Sequence, residues 1–97
     1  MRAFKVDKVD TSQGFPLLCG VLETELRTGD TVAVVDGKGK REEGTVSAIA
    51  VDDPSEGSIG ARLLDHAKAG QAVRVAIRRP QHASSIEPVA ITAVDRV

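Results

Sequence analysis

The segment Ala67–Pro80, AKAGQAVRVAIRRP, constrains the fold of this chain more than any other. After an Ala-Gly turn, an apolar set of residues alternates with a mostly basic one: Val73, Val75 and Ile77 against Arg74, Ala76 and Arg78. A period of two places one set on the buried face of a strand and the other on its solvent face. The segment therefore predicts a half-buried core strand with a basic outer face.

The rest of the chain divides into short apolar or β-branched runs that are separated by turn residues. The runs predict strands at Met1–Asp10, Leu17–Leu26 with a bend at Gly20, Thr31–Val35, Thr45–Val51, Ala72–Arg79 and Val89–Val94. Turns are predicted at Thr11–Gly14, at Arg27–Asp30 and, as a hairpin tip, at Asp36–Lys40. We expect loops at Asp52–Gly60 and Pro80–Ser85, and one helical turn at Ala61–Ala67.

Short strands with turn signals every eight to twelve residues predict an all-β fold. We expect a single closed antiparallel barrel of six to eight strands over residues 1–97, because closure removes the exposed edges of an open sheet. The core must be aliphatic, since Phe4 and Phe15 are the only aromatic residues. A chain of 97 residues can bury such a core without a disulfide or a structural metal.

Charge and cysteine content narrow the classes of function. Thirteen Lys and Arg residues against fourteen Asp and Glu residues give a net charge of −1, which argues against a general affinity for nucleic acid. Cys19 is the only cysteine, so no intrachain disulfide forms. The N-terminal residues carry neither the apolar region of a signal peptide nor a run long enough to span a membrane. These features predict a cytoplasmic protein.

Four motifs follow one another along nearly the whole chain. They are the pair Gly14 and Gly20, LRTGDTV at Leu26–Val32, TVSAI at Thr45–Ile49, and LLD followed by AGQAVRVAIR within Leu63–Arg78. In this order they resemble the second domain of translational GTPases, most closely that of elongation factor Tu. The resemblance implies an antiparallel barrel, in agreement with the predicted strands. It also implies a barrel that, in the intact factor, lies against a GTPase domain and helps to hold the acceptor end of aminoacyl-tRNA.

The family residues that hold the aminoacyl end are changed in this sequence. The family glutamate falls on Ala50 and the family phenylalanine on Asp52. The family arginine falls on Asp53 or Ala61, depending on where an insertion is placed, and neither side chain can replace a guanidinium. The family leucine is Ala76. The resemblance therefore implies the fold without the aminoacyl pocket.

Nucleotide binding by this chain alone is not expected. Its nearest approach to a phosphate loop, GKGKR at Gly37–Arg41, lacks the first glycine of that motif and has Arg41 where Ser or Thr follows the lysine. The sequence contains no GTPase domain. We expect no cofactor.

The candidate binding residues are Arg62, Arg74, Arg78 and Arg79, of which Arg78 keeps the family identity and Arg79 replaces a usual glycine. One interpretation is a basic stripe for RNA or for an acidic protein surface. The other is a solvated strand face whose arginines pair with Glu23, Glu25, Glu42 or Glu43. The lack of aromatic stacking residues disfavours single-stranded RNA.

Catalytic and metal chemistry are disfavoured. His66 and His82 lack the spacing of a zinc site, and Asp52-Asp53 lacks the alternating ligands of a calcium loop. Cys19 lies in an apolar run, where a buried, inert thiol is expected. We therefore expect neither an enzyme nor a metal site.

The sequence thus predicts a non-catalytic binding module, a stand-alone barrel like that of a translation factor, which contacts another protein. The alternatives are a translation-associated domain that binds tRNA or ribosomal RNA, and a fragment of a larger translational GTPase. The residue pattern does not identify the partner.

Overall fold

A computed structural model describes residues 1–52, 61–80 and 86–97. Over these residues the chain is all-β, with ten strands and one 3-10 helix at Pro88–Ala90. The strands are β1 (Arg2–Lys5), β2 (Lys8–Asp10), β3 (Leu17–Val21), β4 (Leu26–Arg27), β5 (Thr31–Asp36), β6 (Arg41–Asp52), β7 (Ala61–Leu64), β8 (His66–Ala67), β9 (Ala72–Arg78) and β10 (Ile91–Arg96).

The described strands pair in two antiparallel sheets. The large sheet has the order β1-β10-β5-β6-β9-β3-β2, with β7 added beside β6, and the small sheet pairs β4 with β8. β1 and β2 lie at opposite ends of the large sheet, although only Val6 and Asp7 separate them along the chain. One short stretch of chain thus contributes to both ends of the sheet.

The segment that dominates the sequence pattern forms β9, which confirms the predicted core strand. β9 lies between β3 and β6, and Val73 and Val75 are buried while Arg78 is exposed. The expectation of a solvated outer face is wrong at Ala76, which is only 8% exposed. It lies opposite Ala48 of β6.

The predicted first strand is interrupted where the chain changes partner. The amide of Val6 donates to the carbonyl of Thr92 at 2.8 Å, and the next amide, that of Asp7, donates to the carbonyl of Cys19 at 2.8 Å. The first bond joins the chain to β10 and the second joins it to β3. The break between β1 and β2 is therefore a change of partner.

Gly20 permits the close approach of β1 to β3. A Cβ atom at this position would lie 2.2 Å from the carbonyl oxygen of Lys5 and 2.7 Å from the ring of Phe4. Phe4 is fully buried and pairs with Leu22 just beyond the end of β3. The bend predicted at Gly20 is thus a site of backbone contact, which only a residue without a side chain allows.

The predicted hairpin between β5 and β6 is confirmed. One carboxylate oxygen of Asp36 accepts hydrogen bonds from the amides of Lys38 (2.8 Å) and Lys40 (2.9 Å), which fixes the tip. β6 begins at Arg41, four residues before the predicted start at Thr45, because its first residues pair with β5.

The helical turn predicted at Ala61–Ala67 is wrong, since these residues form β7 and β8. β7 pairs with the second half of β6, and β8 pairs with β4. Pairing satisfies more backbone groups than one isolated helical turn could. The last strand begins at Ile91 and not at Val89, because Pro88 starts the 3-10 helix and leaves Val89 70% exposed.

The predicted loops fall mostly on residues 53–60 and 81–85, which lie outside the described residues. The core is aliphatic apart from one aromatic ring, and its largest fully buried side chains are Phe4, Leu22, Leu26, Val32, Val34, Val46, Ile49, Val75 and Val94. None of the described residues belongs to a helix with the length and apolarity needed to cross a bilayer.

The contact at Gly20 predicts a large effect of a single methyl group. Gly20→Ala is expected to lower the free energy of unfolding by about 3 kcal/mol, because β1 and β3 would have to move apart. The matched control is Gly37→Ala, whose nearest neighbour would be a methyl of Thr92 at 3.8 Å; we expect a change within about 0.5 kcal/mol. Urea denaturation measures both, and equal stabilities would contradict the assigned contact.

Candidate functional site

Arg74 lies in the middle of a row of residues that crosses five strands. The register places in this row Leu63 of β7, Ala50 of β6, Arg74 of β9, Cys19 of β3 and Lys8 of β2. We call the side of the sheet that carries this row the outer face, since the alternate residues of β6 and β9 belong to the core.

Two carboxylates neutralise Arg74 on the outer face. Its Nη2 atom lies 2.6 Å from Oδ1 of Asp52, and its Nη1 atom lies 3.8 Å from Oδ2 of Asp10. Asp10 also accepts hydrogen bonds from the hydroxyl and the amide of Ser12, at 2.7 and 2.9 Å, and these bonds lower its pKa. The predicted pairing of Arg74 with one of four glutamates is wrong, because the register brings two aspartates to it.

A concavity of about 320 Å³ surrounds this ion pair. The positions that the resemblance assigns to the aminoacyl pocket, Ala50 and Asp52, line it together with Cys19 and Arg74. Its charged lining holds three carboxylates and two basic side chains, a balance that does not attract phosphate. Burial raises the pKa of the Cys19 thiol, which disfavours the reactive thiolate.

Arg79 is a structural residue in this fold. Its side chain is 12% exposed, its Nη1 atom donates a 2.7 Å hydrogen bond to the carbonyl of Ile86, and it lies 3.7 Å from Oε2 of Glu42. The carboxylate of Glu42, 9% exposed, also accepts a hydrogen bond from the amide of Ile86. Arg79 and Glu42 together hold Ile86, whose side chain is buried in the core. Arg79 is thus not available to a partner.

Arg78 is exposed at the end of β9, opposite Thr45 of β6. Among the described residues it makes no ion pair. It borders a concavity of about 330 Å³ to which Glu43 also contributes. Arg78 is therefore an accessible cation separated from the charges around Arg74.

Arg62 lies on the opposite face of the sheet from Arg74. Arg62 pairs with Val51 of β6, whereas Arg74 pairs with Ala50, the neighbouring residue. A difference of one residue in register reverses the face that a side chain occupies. The structure therefore does not bring Arg62, Arg74 and Arg78 into one stripe.

Arg62 instead lines a concavity of about 630 Å³ between β7 and the turn after β8. We call this concavity the basic groove; its lining residues are Val51, Arg62, Leu64, His66, Lys68, Ala69, Gly70 and Gln71. Val51 and Leu64 are half-buried, while Arg62 and Lys68 are exposed. Neither exposed cation makes an ion pair with any residue that the structure describes. The groove thus combines an apolar floor with available positive charge.

The groove's third basic side chain, His66, is positioned by Glu25, a residue that does not line the groove. Its Nε2 atom lies 3.0 Å from the carboxylate of Glu25, and this contact lowers the pKa of Glu25. His66 is also fixed by its backbone, since it pairs with Arg27 in the small sheet. His66 and Lys68 were not among the predicted binding residues, because their place beside Arg62 depends on the pairing of β7 and β8.

Backbone hydrogen bonds fix the turn that carries Lys68. The amide of Lys68 donates to the side-chain oxygen of Gln71 at 2.6 Å. The amide of Gly70 donates to the carbonyl of Leu22, and the amide of Leu22 donates to the carbonyl of Gln71. Gly70 has a φ of +91°, which favours glycine. The sequence predicts the Ala69-Gly70 turn but does not predict its position beside β7.

In the described part of the chain, no group of three or more His, Cys, Asp or Glu side chains is placed to hold a metal ion. No known family model matches the sequence, and no curated protein matches it significantly. The argument for function therefore depends on the surfaces described above.

Arg78, the last residue of β9, and Arg79, which follows it, are expected to differ strongly in the effect of substitution on stability. Arg79→Ala is expected to lower the free energy of unfolding by about 3 kcal/mol, because it removes one partner of a nearly buried ion pair and of a hydrogen bond. Arg78→Ala, on the exposed side, serves as the matched control and should change it by about 0.5 kcal/mol or less. Thermal and urea denaturation measure both. A larger loss for Arg78→Ala would contradict the assignment.

Proposed function

We propose that this chain is a non-catalytic binding module that contacts another protein in the cytoplasm, built on a closed barrel like the second domain of translational GTPases. The barrel, the partner class and the binding surface are supported by separate observations.

Contacts between β1 and β3 support closure of the barrel. The ring would run β1-β10-β5-β6-β9-β3 and return to β1. The returning contact consists of the bridge between Phe4 and Leu22 and a 2.6 Å hydrogen bond from the amide of Glu23 to the carbonyl of Ala3. These groups would otherwise form two open edges.

The placement of the sequence motifs supports the resemblance to the translation-factor barrel. The turn Arg27–Asp30 leads into β5, TVSAI lies within β6, and the Ala69-Gly70 turn leads into β9. These three features thus occupy the kinds of element that the resemblance implies. Function does not follow from this, because one fold carries many sites.

The distribution of the four predicted arginines carries the proposal of a protein partner. Arg74 is neutralised by two aspartates and Arg79 holds Ile86, while Arg62 and Arg78 lie on separate surfaces. A nucleic-acid backbone requires cations along a continuous path. Two accessible arginines on separate surfaces, each with apolar neighbours such as Leu64 beside Arg62, fit a protein surface better.

The proposal predicts that the chain captures protein independently of RNA. The affinity-tagged full chain is crosslinked in cells of its source, and the products are recovered with and without ribonuclease. We expect a discrete protein that survives ribonuclease treatment and that, once purified, binds the purified chain in equimolar amounts by calorimetry. Titration with tRNA and ribosomal RNA at low salt is expected to give no saturable binding. Recovery of RNA alone, or loss of the protein after ribonuclease treatment, would support the RNA alternative and contradict the proposal.

A further inference from the structure

We infer that the basic groove binds an acidic segment of the partner protein, which seats an apolar side chain on Val51 and Leu64 and presents carboxylates to Arg62 and Lys68. The inference rests on the proposed function, because it names the surface and the chemistry of the protein partner.

The distribution of charge makes the basic groove a better site for an acidic segment than the outer face. Among the residues that the structure describes, the basic groove is lined by three basic side chains, those of Arg62, His66 and Lys68, and by no acidic one. The concavity around Arg74 has more carboxylates than basic groups in its lining. Since the whole chain has a net charge of −1, the groove is a local excess of positive charge. Such an excess attracts a segment of opposite charge and rejects a basic one.

The apolar floor selects a peptide over a nucleic acid. Val51 and Leu64 pack against the hydrophobic core and are half-buried, so they offer an apolar floor for an aliphatic side chain in the groove that Arg62 and Lys68 also line. The described lining residues include no Phe, Tyr or Trp ring on which a base could stack. A peptide can supply an apolar side chain and flanking carboxylates together, whereas a phosphate backbone supplies only charge.

The groove is built from fixed backbone, which lowers the cost of binding. β7 is paired along its length with β6, and the turn of Lys68 is hydrogen-bonded both internally and to Leu22. In the part of the groove that the structure describes, a partner would therefore order mainly the exposed side chains of Arg62 and Lys68. Binding of an extended segment needs no change in the sheet.

A displayed library of random heptapeptides, selected against the folded full chain, tests the inference. We expect the enriched peptides to carry two or more Asp or Glu residues around a Leu, Ile, Val or Met. In ¹⁵N NMR titrations a synthetic copy of an enriched peptide should shift the amides of residues 62–71. The affinity should fall about tenfold or more in the Arg62→Glu/Lys68→Glu variant. It should stay within about twofold in Lys38→Glu/Lys40→Glu, a double charge reversal at the exposed tip between β5 and β6.

Four results would overturn the inference: no enrichment, enrichment of neutral or basic peptides, unchanged affinity in the Arg62→Glu/Lys68→Glu variant, or tRNA shifting the groove amides in place of peptide. Both substituted side chains are exposed, so circular dichroism and thermal melting should show an intact fold. The captured protein separates the two proposals. If it binds the Arg62→Glu/Lys68→Glu variant as well as the wild type, the groove is wrong and the protein-binding function stands; if no protein is captured, the proposed function itself fails.

Discussion

The close approach of β1 to β3 at Gly20 is the constraint on which the rest of the structure depends. Because a Cβ atom there would lie 2.2 Å from the carbonyl oxygen of Lys5, only glycine lets the chain change partner between Val6 and Asp7. That change places β1 and β2 at the two ends of one sheet and buries Phe4 in the core. The proposed closure of the barrel follows from this contact, and it separates an inner core from the outer face.

The register of the strands then decides which cations are available. Arg62 and Arg74 pair with neighbouring residues of β6, so they occupy opposite faces. The outer face gathers Asp10 and Asp52 around Arg74, whereas the basic groove gathers Arg62 and Lys68 over Val51 and Leu64. A chain of almost zero net charge thus presents one neutralised surface and one basic one, and the second suits an acidic partner.

The sequence predicts correctly those elements whose structure depends on residues close together in the chain. The alternation in Ala72–Arg78 and the glycine-rich tip after β5 each specify a structure within a few residues. The helical turn predicted at Ala61–Ala67 is wrong because the two short strands that form there depend on pairing with β6 and β4. The role of Arg79 depends on Glu42 and Ile86, and that of Lys68 depends on the position of β7. Neither role can be inferred from composition or from residue spacing, because each depends on contacts between residues that are distant in sequence.

Amide hydrogen exchange of the full chain tests the closure most directly. The informative amide is that of Glu23, which donates to the carbonyl of Ala3 in the contact that returns to β1. In a closed ring it should be protected to the same degree as the amide of Val75 in β9, because both would open only with the whole fold. Exchange of Glu23 at the rate of a freely exposed amide, beside a protected Val75, would contradict the account and show an open sheet.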